Sequence, residues 1–339
     1  MESTTHKDVL PSGPREKLLM DAIRGTSAHE QFSKLLDRSF GVKEGAHYLD
    51  DFPIWNERLF SGPSRALRVG IWEGTELASC AGVRLAKLKV PRGTVSVALI
   101  GAVATAERFR GRGFASRLVN TAVQWAQERG AAAAILWGSE EELYSKLGFE
   151  LCGMQVRAPL AKLDLSTPRD FSSITLGRGW IPSLMEVLKN RKAGLQIEDT
   201  DDSWLSAHRN VEWYWLGEPS RPKAYAAIDR GIDLKGIIHE WGGDDANSIK
   251  TLLSLVQMER PDAVLLSHPQ ALTEYKLGQP MFEIEYLCMA RPLNPLALLT
   301  SYGLSDQIPQ DVLDSLGART IFGPSEDALP LWLWGLDAV

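Results

Sequence analysis

The residues best suited to chemistry in this chain lie in one segment, Val103-Ala104-Thr105-Ala106-Glu107-Arg108-Phe109-Arg110-Gly111-Arg112-Gly113-Phe114-Ala115-Ser116. A run of strand formers enters a loop with two glycines one residue apart, and the loop opens a helix. Glycine lets the backbone approach a bound group closely. The unpaired N–H groups of a helix's first turn, aided by the helix dipole, attract an anion. Arg108, Arg110 and Arg112 add positive charge beside that nest, in a chain whose net charge is −6. The chemistry this asks for is the binding of a pyrophosphate or a similar anion. The Walker pattern does not fit, because no Lys-Ser or Lys-Thr follows the loop. The GxGxxG pattern fails at its third glycine, where Ser116 stands, and the strand before the loop belongs to a meander rather than an opening βαβ unit.

A second segment, about 36 residues after Arg108, reads Ser139-Glu140-Glu141-Glu142-Leu143-Tyr144-Ser145-Lys146-Leu147-Gly148-Phe149. Arg108-x-x-Gly111-x-Gly113 resembles the acyl-CoA pyrophosphate signature of the GNAT superfamily of N-acetyltransferases. The second segment resembles that superfamily's other motif, a tyrosine before a Gly-Phe pair on the short helix after the fifth strand. The resemblance covers about residues 15–160 and implies acetyl-CoA as co-substrate. It implies that Val103, Ala104 and Thr105 bond the thioester and pantetheine arm through their backbone. Arg108, Arg110, Gly111, Arg112, Gly113, Phe114, Ala115 and Ser116 would hold the pyrophosphate, with Ser139 completing the cofactor set. The implied reaction is direct attack of a neutral primary amine (a small molecule, or a lysine or N-terminal amine) on acetyl-CoA through a tetrahedral intermediate. Backbone N–H groups near Val103–Thr105 would polarise the thioester carbonyl. Tyr144 would protonate the departing thiolate, as the matching tyrosine does in the family. A phenol with a pKa near 10 suits an acid facing a thiolate of about 8.5 or above.

The chain also resembles the enhanced-intracellular-survival type of acetyltransferase, which joins two GNAT folds to a small sterol-carrier-like C-terminal domain. In that type the chain's own terminal carboxylate enters the active site, which here implies the carboxylate of Val339 as general base. The tail from Leu293 is much shorter than a complete sterol-carrier-like domain, so aminoglycoside-type substrates do not carry over with the resemblance.

These segments need elements to position them. A first strand is expected at Leu18–Arg24 and a helix at Ala28–Phe40, where Phe32, Leu35, Leu36 and Phe40 mark one face. Three strands follow at Arg65–Trp72, Glu76–Val90 and Thr94–Thr105, joined by turns at Glu73-Gly74-Thr75 and Pro91-Arg92-Gly93. A helix from Gly113 to Arg129 leads to a buried strand, Ala131–Trp137. A short helix then carries Tyr144, and Phe149–Val156 returns as a strand. That order gives a mixed sheet, antiparallel at first and parallel at the crossover.

After a linker at Pro159–Pro168 the pattern repeats at an offset of 130 residues. Gly243 answers Gly113, Leu266 answers Leu136, and Lys276-Leu277-Gly278 answers Lys146-Leu147-Gly148. This reads as a degenerate internal duplication. A helix is expected near Ile181–Arg191, strands at Ala224–Asp229 and Lys235–Trp241, and a helix at Gly243–Glu259. Ala263–Ser267 reads as a strand, Gln270–Leu277 as a short helix and Met281–Arg291 as a last strand. The expected fold class is α/β (α+β): tandem GNAT folds, each a mixed, mostly antiparallel sheet flanked by helices. Residues 1–14 form a leader, 15–160 the catalytic domain, 169–292 the degenerate domain and 293–339 a C-terminal extension. In the second half Glu240-Trp241-Gly242-Gly243 has no arginine and puts a carboxylate where a pyrophosphate would sit, so that half should not bind CoA. It would shape the acceptor pocket, together with the irregular stretch His47–Phe60.

Of the 339 residues, 44% are hydrophobic and 24% charged, which excludes disordered, collagenous and coiled-coil chains. The acidic balance gives no global basic field for nucleic acid. No apolar run is long enough for a membrane span, and no secretory signal opens the chain. The expectation is a cytoplasmic protein without nucleic-acid or membrane partners, its oligomeric state open. Cys80, Cys152 and Cys288 form no CxxC pair and read as reduced packing residues. The six histidines show no HxxxH or HExxH spacing, so no metal is expected. Eleven tryptophans are unusual; Trp204, Trp213, Tyr214 and Trp215 read as interdomain core before a cage for a cationic amine. The same residues also allow a non-catalytic CoA-binding sensor, another acyl group or an O-acceptor.

Overall fold

The computed structural model describes residues 21–56, 65–165, 175–231, 233–278, 282–304, 308–323 and 328–338. The expected leader, the start of the first expected strand and Val339 lie outside the described residues.

The chain opens with a short strand β1 (Asp21–Ala22) and helix α1 (Thr26–Ser39), which buries Phe32, Leu35 and Leu36. A four-residue helix α2 (Tyr48–Asp51) follows. Strands β2 (Ala66–Glu73), β3 (Glu76–Val90) and β4 (Gly93–Thr105) form the expected antiparallel meander. Helix α3 (Phe114–Gln127) buries Phe114, Leu118, Val119, Ala122, Val123 and Ala126 along one stripe. That stripe at helical spacing lays the helix on the sheet. The chain then enters β5 (Ala133–Leu136), which pairs parallel to β4. Helix α4 (Glu141–Ser145) carries Tyr144.

Two of the expected strands are divided. Phe149–Val156 is not one strand: it divides into β6 (Glu150–Cys152) and β7 (Gln155–Pro159) around Gly153 and Met154. The second half repeats the event. After β8 (Leu176–Arg178), α5 (Leu184–Lys189) and α6 (Asp202–Leu205) come β9 (Glu212–Glu218), β10 (Arg221–Ile228) and β11 (Ile237–Gly243). Helix α7 (Ala246–Glu259) crosses over to β12 (Val264–Ser267), parallel to β11, and α8 (Pro269–Glu274) follows. The expected strand Met281–Arg291 also divides, into β13 (Ile284–Glu285) and β14 (Cys288–Pro292).

The divided strands change sheets. One sheet runs β1-β2-β3-β4-β5-β14-β6 and the other β13-β7-β12-β11-β10-β9-β8. Each half thus inserts its last strand into the other's sheet, between the crossover strand and the strand before the exchange. The exchange is symmetric, as a duplication would make it. The boundaries expected at 160 and 292 therefore divide the chain by residue number but not by sheet. Alternation of side chains fixes which face of a strand is buried, not which sheet receives it.

The halves meet along the far end of β3. Leu88 bridges Leu195, Lys87 O accepts from Gln196 N at 2.7 Å, and Lys89 N donates to Gly194 O at 3.0 Å. Arg84 pairs with Asp201 at 2.7 Å and stacks on Trp204, both ends of the pair buried. Trp204, Trp213, Tyr214 and Trp215 are all buried, so they are core and not a cage; three of them lie on β9, a strand the sequence pattern missed. Cys80, Cys152 and Cys288 are free and buried. After helix α9 (Pro295–Ser301) and two further short helices, the chain ends in a strap in which Leu331, Trp332, Leu333, Trp334 and Leu336 are buried. Each such side chain contributes about 1.5–3 kcal/mol by leaving water, before ordering costs.

Candidate active site

Strand β4 supplies the floor of the site. It pairs with β5 only over Val97–Ile100, against Ala133–Leu136, and then continues alone to Thr105. On its other edge the register against β3 slips between Cys80 and Gly82, and Ala102 stands there at φ 51°. A bulge bends the strand that carries it, and a non-glycine residue in the left-handed region is strained. The bulge turns β4 away from β5 and leaves the backbone of Gly101–Thr105 without a β5 partner. Ser79 Oγ steadies the far end, donating to Ala104 O at 2.9 Å and meeting Thr105 Oγ1 at 2.7 Å.

The loop beyond β4 is anchored by two aromatic plugs. Phe109 and Phe114 are buried, 6.5 Å apart, among Val69, Ile71, Ala78, Ala81 and Leu118. Between them Gly111 and Gly113 hold φ of 78° and 73°, with open space where a Cβ would stand. Conformation, not crowding, requires glycine here. Gly113 is the N-cap of α3; no side chain caps this end, and the first turn holds no acidic residue. Its N–H groups are therefore free for an anion.

The three arginines divide. Arg110 lines the cleft beside this helix end. Arg108 and Arg112 do not: they pair with Glu76 and Glu73 on the β2–β3 turn and flank the Phe109 ring. This corrects the expectation that all three stand around the anion, since nearby carboxylates draw two of them away. Both pairs are exposed, and such pairs are weak.

Tyr144 closes the opposite wall. Its ring is buried edge-on to Phe149 at 6.3 Å, and a Cβ at Gly138 would come within 2.6 Å of it. Burial, and then the nearby Glu140 carboxylate, raise its phenol above the usual value. The group is held protonated. Val103, Ala104, Thr105, Gly111, Gly113, Phe114, Ala115, Ser116, Ser139 and Tyr144 all line one cleft of about 1280 Å³. Val339 is outside the described residues, while its neighbour Ala338 lines this cleft.

The cleft's other side comes from elements that carried no motif. Phe40, Tyr48 and Phe52 form a stacked ladder at 4.6 and 4.5 Å. Arg230 covers the Phe52 ring, reaches Asp233 at 3.2 Å and donates to Gly335 O of the strap. Asp51 receives Asn210 Nδ2 at 2.6 Å, and burial raises its carboxyl. Leu234, Leu266, Leu333 and Trp334 complete the wall. The second half and the strap thus shape the side facing β4 and Tyr144. The sequence marked the stretch His47–Phe60 as pocket, but nothing local marks Arg230 or Asp233, which arrive only through tertiary packing. Among the described residues no group of three His, Cys, Asp or Glu is arranged to hold a metal, and no helix is long and apolar enough to cross a membrane.

A parallel strand pair parted at its carboxyl end, an uncapped helix start beside it and a protonated tyrosine across from them thus share one cleft. The family model of the acetyltransferase (GNAT) domain matches residues 24–152. Among solved structures, a probable N-acyltransferase of Enterococcus faecalis covers 81% of this chain and 73% of its own, at 16% identity and TM-score 0.59. A GCN5-related N-acetyltransferase of Anabaena variabilis covers 83% and 74%, at 18% identity and TM-score 0.59. Eis1 of Mycobacterium abscessus covers 86% and 77%, at 16% identity and TM-score 0.59. No curated protein sequence matches this one. The family match is confined to residues 24–152, and the likeness to these solved structures is one of fold: two mixed sheets flanked by helices, consistent with a tandem of GNAT folds.

Proposed function

We propose that this protein transfers an acetyl group from acetyl-CoA to a primary amine by direct attack. The observation that carries the reading is one cleft holding three things: the uncapped start of α3 with Arg110, the unpaired edge of β4, and Tyr144. The N–H groups at Gly113–Ser116 and the Arg110 guanidinium suit the donor's pyrophosphate. The β4 backbone at Val103–Thr105 suits its amide-rich arm and the thioester oxygen. The acceptor enters from the side of Tyr48, Asp51 and Phe52, where aromatic faces and a carboxylate suit an amine. The amine nitrogen bonds to the acetyl carbon, the C–S bond breaks, and Tyr144 gives its proton to the departing sulfur. The amine's surplus proton leaves to water, and water returns a proton to Tyr144 before the next turnover.

The test is thiol release from acetyl-CoA across a panel of primary amines, polyamines and a lysine peptide included. Turnover with at least one amine, lost in Tyr144→Phe with donor binding intact, supports the reading. Saturable CoA binding with no turnover across the panel, and none with longer acyl donors or alcohols, makes the protein a CoA-binding sensor instead.

A further inference from the structure

The second half keeps a cleft of its own, about 730 Å³ in volume, at the carboxyl end of β11 and beside α8. That size is ordinary for a small-molecule site. The 130-residue offset makes it the counterpart of the acyl-donor cleft, yet its anion chemistry is gone. Where α3 is uncapped, α7 is closed by its own Asp245, whose carboxylate accepts from Ser248 N at 2.9 Å and Ser248 Oγ at 2.7 Å. The helix end offered to a phosphate in the first half is already satisfied here.

A row of rings stands in its place. Tyr275 meets Trp241 at 5.5 Å, Trp241 meets Trp334 at 5.7 Å, Trp334 meets Trp332 at 5.2 Å, and Trp332 meets His268 at 5.8 Å. Every contact is edge-to-face, and all five side chains line the cleft. Two of the ring N–H groups are used inside the protein: Trp241 donates to Leu266 O and Trp334 to Ala193 O, each at 3.0 Å. Trp332 Nε1 and His268 Nε2 have no partner among the described residues. Both side chains are more than nine-tenths buried, with residue exposures of 6% and 7%. His268 Nδ1 accepts from Gln270 N at 3.2 Å, so the ring's proton sits on Nε2. The wall therefore holds two buried donors with no acceptor, an arrangement folded proteins rarely leave unanswered.

We propose that this cleft is a second small-molecule site, for a flat aromatic ligand carrying a hydrogen-bond-accepting oxygen. The ligand's ring lies on the Trp332–Trp334–Trp241 row, and its oxygen takes the N–H groups of Trp332 and His268. Phosphate is not what the site asks for, because three of its four cations are engaged: Lys192 with Glu274, Lys89 with the carbonyls of Lys189 and Arg191, and Arg191 with Glu240 and Asp337, while the fourth, Arg221, is exposed.

The probe is isoquinolin-1-one, a flat bicyclic lactam, titrated by calorimetry into the full-length protein saturated with CoA. Its decahydro analogue keeps the carbonyl without the flat ring and serves as the control. We expect one saturable site, with the control and the variants Trp332→Phe and His268→Phe each about tenfold weaker or more, the worth of one hydrogen bond or one stacking face. Because those two positions are core, Gln270→Trp at the exposed rim supplies an independent test and should abolish binding while the protein melts as the wild type does. Absence of saturable binding, equal affinity for the saturated lactam, or unchanged affinity in Gln270→Trp each overturns the proposal.

Discussion

The guanidinium of Arg191 and the carboxylate of Asp337, 146 residues apart in sequence, form an ion pair with side chains only 2% and 1% exposed. Arg191 also holds Glu240 at 2.9 Å, and the second oxygen of Asp337 accepts from Leu195 N at 3.1 Å and Trp334 N at 3.0 Å. The pair fixes the last turn of the strap. Through it the second half determines where Trp334, Gly335 and Ala338 stand in the candidate active-site cleft. Burial by itself would pull the Arg191 pKa down, but its two carboxylate neighbours more than offset this and hold it charged.

Removing Asp337 leaves Arg191 paired with Glu240 but takes the acceptor from the buried N–H groups of Leu195 and Trp334, at about 1–3 kcal/mol for each donor left unsatisfied. Asp337→Ala should therefore lower the melting temperature markedly. It should also raise KM for the acceptor amine while leaving KM for the acyl donor unchanged, because the strap borders the acceptor side and not the α3 end. Thermal denaturation with the two KM values checks this; equal rises in both would place the strap's influence elsewhere.

Two carboxylates around one buried guanidinium leave one negative charge in excess. Burial accordingly pushes Glu240 up to about 8, beyond what the opposing attraction of Arg191 restores. Between the unfolded carboxylate value and about 8 the folded protein holds more protons than the unfolded chain. Stability from this group is then fully present at the acid end of that window and falls as pH rises through it. The melting temperature of the wild type should rise on going from pH 8 to pH 6. Glu240→Gln, neutral throughout, should flatten that slope.

The order of elements and the position of the Gly111–Gly113 loop were legible because they rest on local signals. The meander ends within a residue or so of the turns marked by Gly74 and Pro91-Arg92-Gly93, and α3 begins where Gly113 ends the loop. The exchange of β7 and β14 between sheets was not legible, because it depends on which sheet edge is free once both halves have folded. The same holds for the bulge at Ala102, where no glycine marks the positive φ, and for Arg230, whose partners Phe52 and Gly335 are remote in sequence. Arg108, Arg110 and Arg112 look equivalent in the loop. Only the positions of Glu73 and Glu76 across the meander separate them.

That separation is itself measurable. Arg110→Ala should raise KM for the acyl donor about tenfold, the worth of one charge-assisted contact, and should reduce the salt dependence of donor binding. Arg108→Ala and Arg112→Ala remove only exposed pairs and should change donor KM less than threefold, since such pairs are worth at most about 1 kcal/mol. Donor KM for the three variants at low and moderate salt decides the matter, and a ranking with Arg108 first would mean that its pair with Glu76 opens when the donor binds.

Tyr144 supplies the sharpest separation of chemistry from binding. Its ring is locked by Phe149 and by the lack of a side chain at Gly138, so removing the hydroxyl leaves the packing in place. Tyr144→Phe should lower kcat by about 100-fold or more, in the range of a lost general acid, with donor KM and melting temperature unchanged. The pH profile carries independent information. Burial and the negative charge of Glu140 both oppose ionisation of the phenol, so in the wild type this group should produce no basic fall in kcat below about pH 10. Relieving the Glu140 contribution in Glu140→Gln should lower the phenol's pKa and move any basic fall toward neutrality. A wild-type profile that already falls near pH 8, and persists in Tyr144→Phe, would assign the proton to another donor in the cleft.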